Sequence, residues 1–384
     1  MEKLLVSSIL KNIWIRTPSF KGAFFKPKKK TYLFLPINGA GLGHLTRSLA
    51  VARRLRVEQP DCEIVFLTTS IGVALVHKEG FQCHHIPPSK LLDADAITWN
   101  KLFYRSLVNV LSIHRPQCLV FDGTTPYLGL RRVMNIYPKL KCVWIKRGLY
   151  KESVNQDKIK AFFSEFSMVL SPGELAKEAD ARVDKVADKK RFSVHDVNPI
   201  SLLDSGDLLD RDLARDILRI PKGKLCAYVQ LGAGNINGIY DVQQKVIDDL
   251  RAKDILVVLG QSPIALNTKP DLRADSVIVD YPNSKYFRAF DFAVLAGGYN
   301  SVCEAVTLGL PALFIPNAET GADDQLKRVR QALDFGPYEV MIEYSQDVFD
   351  LAVNRLLENG CQHRNFTITN GAVAAASLIA QCSA

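Results

Sequence analysis

A glycine-rich turn near the start of the chain raises the first chemical question. Residues 38–48, NGAGLGHLTRS, follow the apolar run YLFLPI and lead directly into LAVARRL. A glycine turn between a buried strand and a helix is typical of a site that holds a phosphate at the helix N-terminus. The same turn carries His44, so it either cradles a phosphate or presents an imidazole to a ligand.

The spacing of the glycines argues against a dinucleotide site. The first turn has glycines at 39, 41 and 43, and a second turn, LGAGNING, has them at 232, 234 and 238. Neither fits G-x-G-x-x-G/A, and the strands that follow end in LTTS and VVLGQS without an acid for a ribose. No GxxxxGK(S/T) motif occurs either. We therefore expect no NAD or FAD cofactor; a tight turn that needs only positive φ remains the simpler alternative for each loop.

A better phosphate site is predicted in the stretch DFAVLAGGYNSVCEAVTLGLPALFIPN. A strand ends at LAGG and a helix begins near Asn300 and Ser301, so free backbone N–H groups and the positive end of the helix dipole are available there. Glu304 lies one turn further on. Its carboxylate would repel a phosphate but can accept both hydroxyls of a ribose. The alternative is that Glu304 only stabilises the helix N-terminus through the dipole.

Two alternations of β-rich runs and helical segments position these turns. The first begins at residue 31, the second at LCAYVQLGAGN, and turn-forming residues separate them near 196–206. Strands that are apolar throughout and alternate with helices indicate parallel sheets covered on both faces. We predict an α/β protein with two Rossmann-like, doubly wound domains, 31–200 and 201–384, whose strand ends face a central cleft. The alanine-rich stretch NGAVAAASLIA is expected to be a helix that packs closely against a neighbour.

Charge is concentrated outside these domains. Residues 1–30 hold eight Lys and Arg against one Glu, which accounts for most of the net charge of +9. A nucleic-acid partner is not expected, because the folded domains lack a comparable basic surplus. The extension is also amphipathic and is predicted either to lie on an anionic membrane or to be a poorly ordered tail.

The remaining composition predicts a cytoplasmic protein, with the inner membrane face as a second location if the extension binds lipid. The apolar runs are too short to span a membrane, and Lys11 and Arg16 interrupt any secretion signal. The eight cysteines form no CxxC pair and are interpreted as reduced thiols.

Two separated stretches resemble a known family. GLGHLTRSLAVARRL (41–55), and AGGYNSVCEAVTLGLPALFIPN with DDQLKRVRQALDFG (296–336), are similar to the inverting glycosyltransferases of GT-B fold. The similarity is greatest to the branch that contains the lipid-linked N-acetylglucosaminyltransferase of peptidoglycan synthesis, in glycosyltransferase family 28. Order, spacing and domain agree, so the resemblance covers residues 31–384.

The resemblance implies that the C-terminal domain binds a nucleotide-sugar donor as co-substrate. Gly297, Gly298, Asn300 and Ser301 would approach the diphosphate and Glu304 the ribose diol, which favours a UDP-sugar. Gln325 and Asp324 would contact the sugar, Gly232 and Gly234 the phosphate side, and Tyr281, within VDYPNSKY, the border of the base. The acceptor would be a hydroxyl of a glycan, a lipid-linked sugar or a small molecule.

The resemblance also implies a catalytic role for His44. Inverting transfer needs a base for the attacking hydroxyl, and a helix N-terminus keeps an imidazole unprotonated. Asp122, at the end of CLVFDG, would orient His44, unless it only caps the next helix. The turn glycines, Gly41 and Gly43, would then clear space for the acceptor.

Departures from related families refine this prediction. Retaining GT-B enzymes have Glu-x7-Glu, but the eighth residue after Glu304 is Ala312, so inversion is expected. No DxD motif follows a strand, so no metal is predicted; DADAIT (93–98) is interpreted as a helix start. A nucleotide-sugar hydrolase with a similar GHxxR turn and a non-catalytic sugar-nucleotide-binding module remain alternatives. The segment 89–113 favours a transferase, because a hydrolase needs no acceptor site.

Overall fold

The structure is a computed structural model of the 384-residue chain. It describes residues 29–37, 41–147, 149–175, 193–232, 240–265, 273–317, 323–358 and 368–383. The extension, apart from its last two residues, and Gly234 lie outside these ranges.

The N-terminal domain is built on a seven-stranded parallel sheet. Its strands are β1 (Thr31–Pro36), β2 (Glu63–Thr68), β3 (Gln82–His85), β4 (Cys118–Asp122), β5 (Lys141–Ile145), β6 (Met168–Pro172) and β7 (Val194–Val197). The order is β3-β2-β1-β4-β5-β6-β7. The central strands β1 and β4 are buried along their whole length, which explains why they are apolar almost throughout rather than alternating.

The C-terminal domain repeats the plan with six parallel strands. They are β8 (Cys226–Gln230), β9 (Leu256–Gly260), β10 (Ser276–Ile278), β11 (Phe292–Ala296), β12 (Ala312–Ile315) and β13 (Tyr338–Val340). Their order is β10-β9-β8-β11-β12-β13. In each sheet the chain starts at a central strand and reverses direction beside it, which creates the switch point where such sheets bind ligands. The prediction of two doubly wound parallel-sheet domains is confirmed.

Helices connect the strands and cover the sheets. They are α1 (Gly43–Glu58), α2 (Val73–Lys78), α3 (Ala96–His114), α4 (Leu128–Ile136), α5 (Gln156–Lys160), α6 (Arg211–Leu218), α7 (Tyr240–Ala252), α8 (Tyr299–Thr307), α9 (Gln325–Ala332), α10 (Gln346–Glu358) and α11 (Gly371–Cys382). The helix start predicted in DADAIT is confirmed: Asp95 is the N-cap of α3, and its carboxylate accepts from the backbone N–H groups of Ile97 and Thr98.

The last helix packs against the first domain. Its buried alanines, among them Ala372 and Ala376, belong to the same apolar cluster as the buried side of α1, so the close packing expected of NGAVAAASLIA is confirmed. A Cβ on Gly371 would lie 1.8 Å from the carbonyl oxygen of Asn198, and the Ser383 hydroxyl is 2.9 Å from that of Tyr32. The chain therefore crosses from the first sheet to the second after Val197 and returns at its end.

Within the described part of the chain, no helix is both long enough and apolar enough to cross a lipid bilayer. The seven cysteines in the same ranges are free thiols.

Buried charges join the two domains at one side of the cleft. Arg328 of α9 is 2% exposed, and its Nε donates to Glu174 of the first domain at 2.8 Å. Its terminal nitrogens also donate to Asp323 at 2.6 and 3.0 Å. Arg147 of the first domain in turn donates to Asp323 at 3.1 Å. A desolvated charge is tolerated only when it is paired, so this cluster fixes how the domains approach each other.

Removal of the central cation of this cluster should destabilise the protein. We expect Arg328→Ala to lower the free energy of unfolding by about 3–5 kcal/mol, because the buried carboxylate of Glu174 and the partly buried carboxylate of Asp323 lose their shared partner. Arg330→Ala, an exposed position on the same helix, should change it by less than about 0.5 kcal/mol. Urea denaturation of both variants measures the difference; equal effects would contradict the structural role assigned to Arg328.

Candidate active site

A cavity of about 320 Å³ lies where the two sheets face each other. Its walls come from the carboxyl ends of central strands in both domains: the turn after β1, and the loops after β8, β9 and β11. Residues from both domains line it, including Gly41, Gly43, His44, Gly232, Tyr281, Gly298, Asn300, Ser301, Glu304 and Gln325. The structure therefore brings most of the sequence-predicted site residues into one cavity.

His44 and Asp122 form a hydrogen-bonded pair at this cavity. The Nδ1 atom of His44 is 2.6 Å from Oδ1 of Asp122, since β1 and β4 are adjacent and Pro36 is in register with Asp122. Asp122 is fully buried, whereas the His44 side chain is 26% exposed. A proton on Nδ1 that is donated to the carboxylate leaves Nε2 as the nitrogen that can accept one. The hydrogen bond to Asp122 can hold the imidazole in one tautomer and one orientation.

Asp122 does not cap the next helix. Helix α4 begins at Leu128 and its N-cap residue is Tyr127, several residues beyond Asp122. The carboxylate is used by His44 and by Arg47 of α1 instead. The alternative that Asp122 has only a capping role is therefore excluded.

Arg47 is a site residue that the sequence interpretation missed. It is 2% exposed, its Nε donates to Oδ2 of Asp122 at 2.9 Å, and its Nη2 contacts Oδ1. Burial alone would raise the pKa of Asp122, but the charges of Arg47 and His44 outweigh burial, and the pKa is lowered. The available signal was its position three residues after His44, which places both side chains on one helix face.

The predicted glycines that the structure describes fall into three groups. A Cβ added to Gly41, Gly43 or Gly298 would meet no atom within 4 Å, so these positions leave open space in the cavity. Gly297 does not line the cavity; a Cβ there would lie 2.9 Å from Val329 and 3.1 Å from Pro316. Gly297 is therefore needed for close packing of β11 against the following elements. Gly232 has a φ of 107°, which favours glycine in the turn after β8.

The N-terminus of α8 opens towards the cavity. Its N-cap residue is Gly298, which has no side chain to cap the first-turn N–H groups. Asn300 and Ser301 of that turn line the cavity. Together with the helix dipole, these groups provide a setting that suits an anion.

Glu304 is a half-buried carboxyl at the same wall. It lies beyond the first turn of α8, so the alternative of a dipole effect on that turn loses support. Its side chain makes no hydrogen bond or ion pair with any described residue, and desolvation raises its pKa from 4.5 to about 7. A carboxylate kept without a protein partner at a cavity wall is available to accept hydroxyl groups of a ligand.

The remaining predicted residues differ in how they meet the cavity. The Tyr281 hydroxyl is 2.6 Å from Oγ1 of Thr46 and so bridges the two domains. Gln325 lines the cavity, and its Oε1 accepts from the backbone N–H of Asn317 at 2.9 Å. Asp324 is not among the lining residues; its carboxylate caps α9 by accepting from Lys327 N at 3.0 Å.

Two further polar residues line the cavity on the side of the C-terminal domain, Asn283 and Ser284. Oδ1 of Asn283 and Oγ of Ser284 are buried and have no hydrogen-bond partner among the described residues. Such groups are rare in folded proteins unless a ligand or water satisfies them. The motif VDYPNSKY contains both, but sequence reasoning selected only Tyr281 because no pattern marked the other two as buried.

The described residues hold no cluster of three or more His, Cys, Asp or Glu side chains that could hold a metal ion. The absence of a metal from the reaction remains a prediction.

Solved structures identify the fold. The crystal structure of the kitacinnamycin glycotransferase matches with a TM-score of 0.59 and 17% identity over 93% of this chain and 100% of that one. MurG of Acinetobacter baumannii matches with a TM-score of 0.57 and 13% identity over 92% and 99%. The fold is therefore that of the GT-B glycosyltransferases, as predicted.

No family model matches the chain. Curated relatives nevertheless show which glycosyltransferases it is similar to in sequence. Two of them are named UDP-N-acetylglucosamine--N-acetylmuramyl-(pentapeptide) pyrophosphoryl-undecaprenol N-acetylglucosamine transferase. The protein from Acetivibrio thermocellus is 21% identical over 333 residues, 80% of this chain and 84% of that one. The protein from Clostridioides difficile is 24% identical over 310 residues, 75% and 72%. The predicted resemblance to this transferase family is confirmed, and the curated relatives are glycosyltransferases by name.

The raised pKa of Glu304 has a consequence for stability. Between pH 4.5 and 7 the folded protein retains a proton that the unfolded chain releases, so the free energy of unfolding falls as pH rises through this window. We expect Glu304→Gln, which is neutral, to be more stable than the parent protein at pH 8 by about 1–3 kcal/mol. At pH 4 the two should be equal.

Thermal or urea denaturation at the two pH values measures this effect. Glu343→Gln, an exposed position, is the matched control and should leave stability unchanged at both. A Glu304→Gln variant that is less stable than the parent protein at pH 8 would show that other groups in the folded protein stabilise the charge of the Glu304 carboxylate.

Proposed function

We propose that the protein is an inverting glycosyltransferase that moves a sugar from a UDP-sugar to a hydroxyl acceptor. The observation that carries the proposal is the division of one cavity between the domains. The N-terminal domain contributes the His44–Asp122 pair, and the C-terminal domain contributes the N-terminus of α8 and Glu304. A base and an anion-binding helix that face each other fit a transfer between two bound substrates.

The proposed donor site lies in the C-terminal domain. The first-turn amides of α8, next to Gly298, would hold the diphosphate, and Glu304 would accept both ribose hydroxyls. Gln325 would contact the sugar. The curated relatives are named for UDP-N-acetylglucosamine, which supports a UDP-sugar, and the diol contact of Glu304 favours a ribonucleotide over a deoxyribonucleotide.

The proposed step is a single displacement. The acceptor hydroxyl gives its proton to Nε2 of His44, and its oxygen forms a bond to the anomeric carbon from one face. The bond from that carbon to the diphosphate oxygen breaks on the other face, which inverts the configuration. The leaving diphosphate keeps the bonding electrons, and the helix N-terminus and its dipole stabilise that charge. Asp122 balances the imidazolium that forms.

Exposed apolar side chains of the N-terminal domain support an amphiphilic, lipid-linked acceptor. Leu91, Ile97 and Leu128 are 56%, 68% and 66% exposed. They lie before, within and at the start of helices on the domain that holds His44, and exposed Lys90 and Lys101 are close to them in sequence. Apolar groups beside cations are typical of a surface that meets an anionic membrane. We propose a peripheral association with the cytoplasmic membrane face.

The catalytic proposal predicts different defects at the two walls. His44→Ala should lower kcat by about 10²–10⁴-fold with little change in donor affinity, because general base catalysis contributes that much. Glu304→Ala should weaken donor binding at pH 8, where the carboxyl is ionised. Initial-rate kinetics and calorimetric titration with UDP-sugars separate the two effects.

The controls use the same titrations. UDP should bind more tightly than dTDP to the parent protein, and Glu304→Ala should reduce that difference. Equal losses of kcat and donor affinity in both variants would contradict the division between the domains. Release of free sugar at the same rate with and without acceptors would instead indicate the hydrolase.

The membrane proposal predicts that apolar contacts and the basic extension act together. Ile97→Asp should weaken binding to vesicles that contain anionic phospholipid by about tenfold, since a buried aliphatic side chain contributes about 1.5–3 kcal/mol. Removal of residues 1–30 should abolish the salt-sensitive part of the binding. Val57→Asp, 80% exposed at the end of α1, is the control. Cosedimentation at two salt concentrations measures all three; unchanged binding of both test variants would refute the proposal.

A further inference from the structure

Arg47 is a buried cation in the cavity wall, and its contacts argue against a role in binding substrate phosphate. Its Nε and Nη2 both face the carboxylate of Asp122, in the two-point geometry that planar guanidinium and carboxylate groups favour. A guanidinium used in this way has most of its charge compensated by that carboxylate. The donor diphosphate therefore gains little from it.

The second contact of Arg47 is with the base itself. Its Nη2 lies 3.0 Å from Nδ1 of His44. Arginine only donates hydrogen bonds. In the tautomer in which Nδ1 donates its proton to Asp122, this approach is therefore a close electrostatic contact; in the other tautomer Nδ1 accepts from Arg47. Both Nδ1 and the guanidinium converge on Asp122, and neither can move without disturbing the other.

The third contact reaches the other domain. The centre of the guanidinium lies 5.8 Å from the ring of Tyr299, the first residue of α8. The Tyr299 hydroxyl donates to Gly173 O at 3.1 Å and accepts from Ile200 N at 3.1 Å, so the ring is fixed against the first domain. Asn300, the next residue in the chain after Tyr299, lines the cavity.

We propose that Arg47 is a positioning residue of the transfer reaction. It holds the Asp122 carboxylate in the orientation that keeps the proton of His44 on Nδ1, and its packing on Tyr299 aligns the base with the start of the donor helix. This inference rests on the proposed function, because it assigns a task to a residue that acts through His44. Lysine cannot replace the fork geometry.

The charges that face the pair decide how the protein should respond to pH. Asp122 approaches from β4, Arg147 and Tyr150 from the segment after β5, and Tyr299 from α8. Without Arg47, the buried Asp122 charge is balanced mainly by protonation of His44. The pair then takes up its proton at higher pH, and the base is lost under conditions in which the parent protein retains it.

The experiment compares Arg47→Gln, Arg47→Lys and a matched control in the full chain. We expect Arg47→Gln to lower kcat by about 10²-fold, the size of the loss that misplacement of a catalytic group causes, with donor KM changed less than about threefold. The acid limb of the pH–kcat profile should move to higher pH. Arg47→Lys should restore the limb, because it restores the charge, but only part of kcat.

The control is Arg53→Gln. Arg53 lies on the same helix and is paired with Glu79, away from the cavity, so its loss should leave kcat, KM and the pH profile unchanged. Arg47→Gln that raises donor KM without moving the acid limb would assign Arg47 to phosphate binding and overturn the proposal. Kinetics identical to those of the parent protein would overturn it as well.

A second measurement does not depend on turnover. Nitrogen-15 NMR of the His44 ring distinguishes the neutral Nδ1–H tautomer from the neutral Nε2–H tautomer and from the imidazolium. Arg47→Lys and Arg47→Gln should both reduce the neutral Nδ1–H tautomer at pH 8. If Arg47→Gln does not fold, Arg47→Lys provides the comparison, because it keeps the charge beside Asp122 and changes only the two-point geometry. An unchanged ring would refute the positioning role; absence of transfer activity with an altered ring would refute only the proposed function.

Discussion

Pairing of buried charges is the constraint on which the arrangement of this protein depends. The two domains meet through Arg328, Glu174 and Asp323, which are all removed from most of the solvent. Ions in such a setting are tolerated only in well-matched geometry, because the cost of desolvation is large and falls steeply on an unpaired charge. These ion pairs therefore restrict the relative position of the two domains more than an apolar interface would. The geometry of the cleft depends on that relative position.

The same constraint operates inside the cleft. Asp122 is fully buried and keeps a lowered pKa only because Arg47 and His44 accompany it. Glu304, on the opposite wall, has no charged partner among the residues that the structure describes, and burial raises its pKa to about 7. The charge of Asp122 is thus balanced by neighbouring side chains, whereas the carboxyl of Glu304 is available to a ligand. A group that costs stability in the free protein is typical of a site that recovers the cost when its ligand binds.

The strand and helix pattern of the sequence was sufficient to predict the fold. Apolar runs such as YLFLPI and DFAVLAGG correspond to central strands because a parallel sheet covered on both faces needs apolar residues at every position. Candidate site residues at or soon after the ends of such strands, including His44, Asp122, Ser301 and Glu304, were predicted for a related reason: the carboxyl ends of parallel strands meet at one edge. Asp324 and Gly297 show the limit of this reasoning. One caps a helix and the other permits close packing, and a motif alone does not separate these roles from contact with a ligand.

The sequence by itself determined which residues stand at the strand ends, because the alternation of apolar runs and helices is a local property that each segment carries. It also predicts that the glycine turns do not bind a dinucleotide, since that prediction depends only on their spacing. Only the tertiary structure decided that Arg47 is bound to Asp122, that the last helix returns to the first domain, and that Oδ1 of Asn283 and Oγ of Ser284 are buried without a hydrogen-bond partner among the described residues. These features depend on which side chains meet across long separations in the chain, and on how much water is excluded around them. Neither these long-range contacts nor the exclusion of water can be read from a single segment of the sequence.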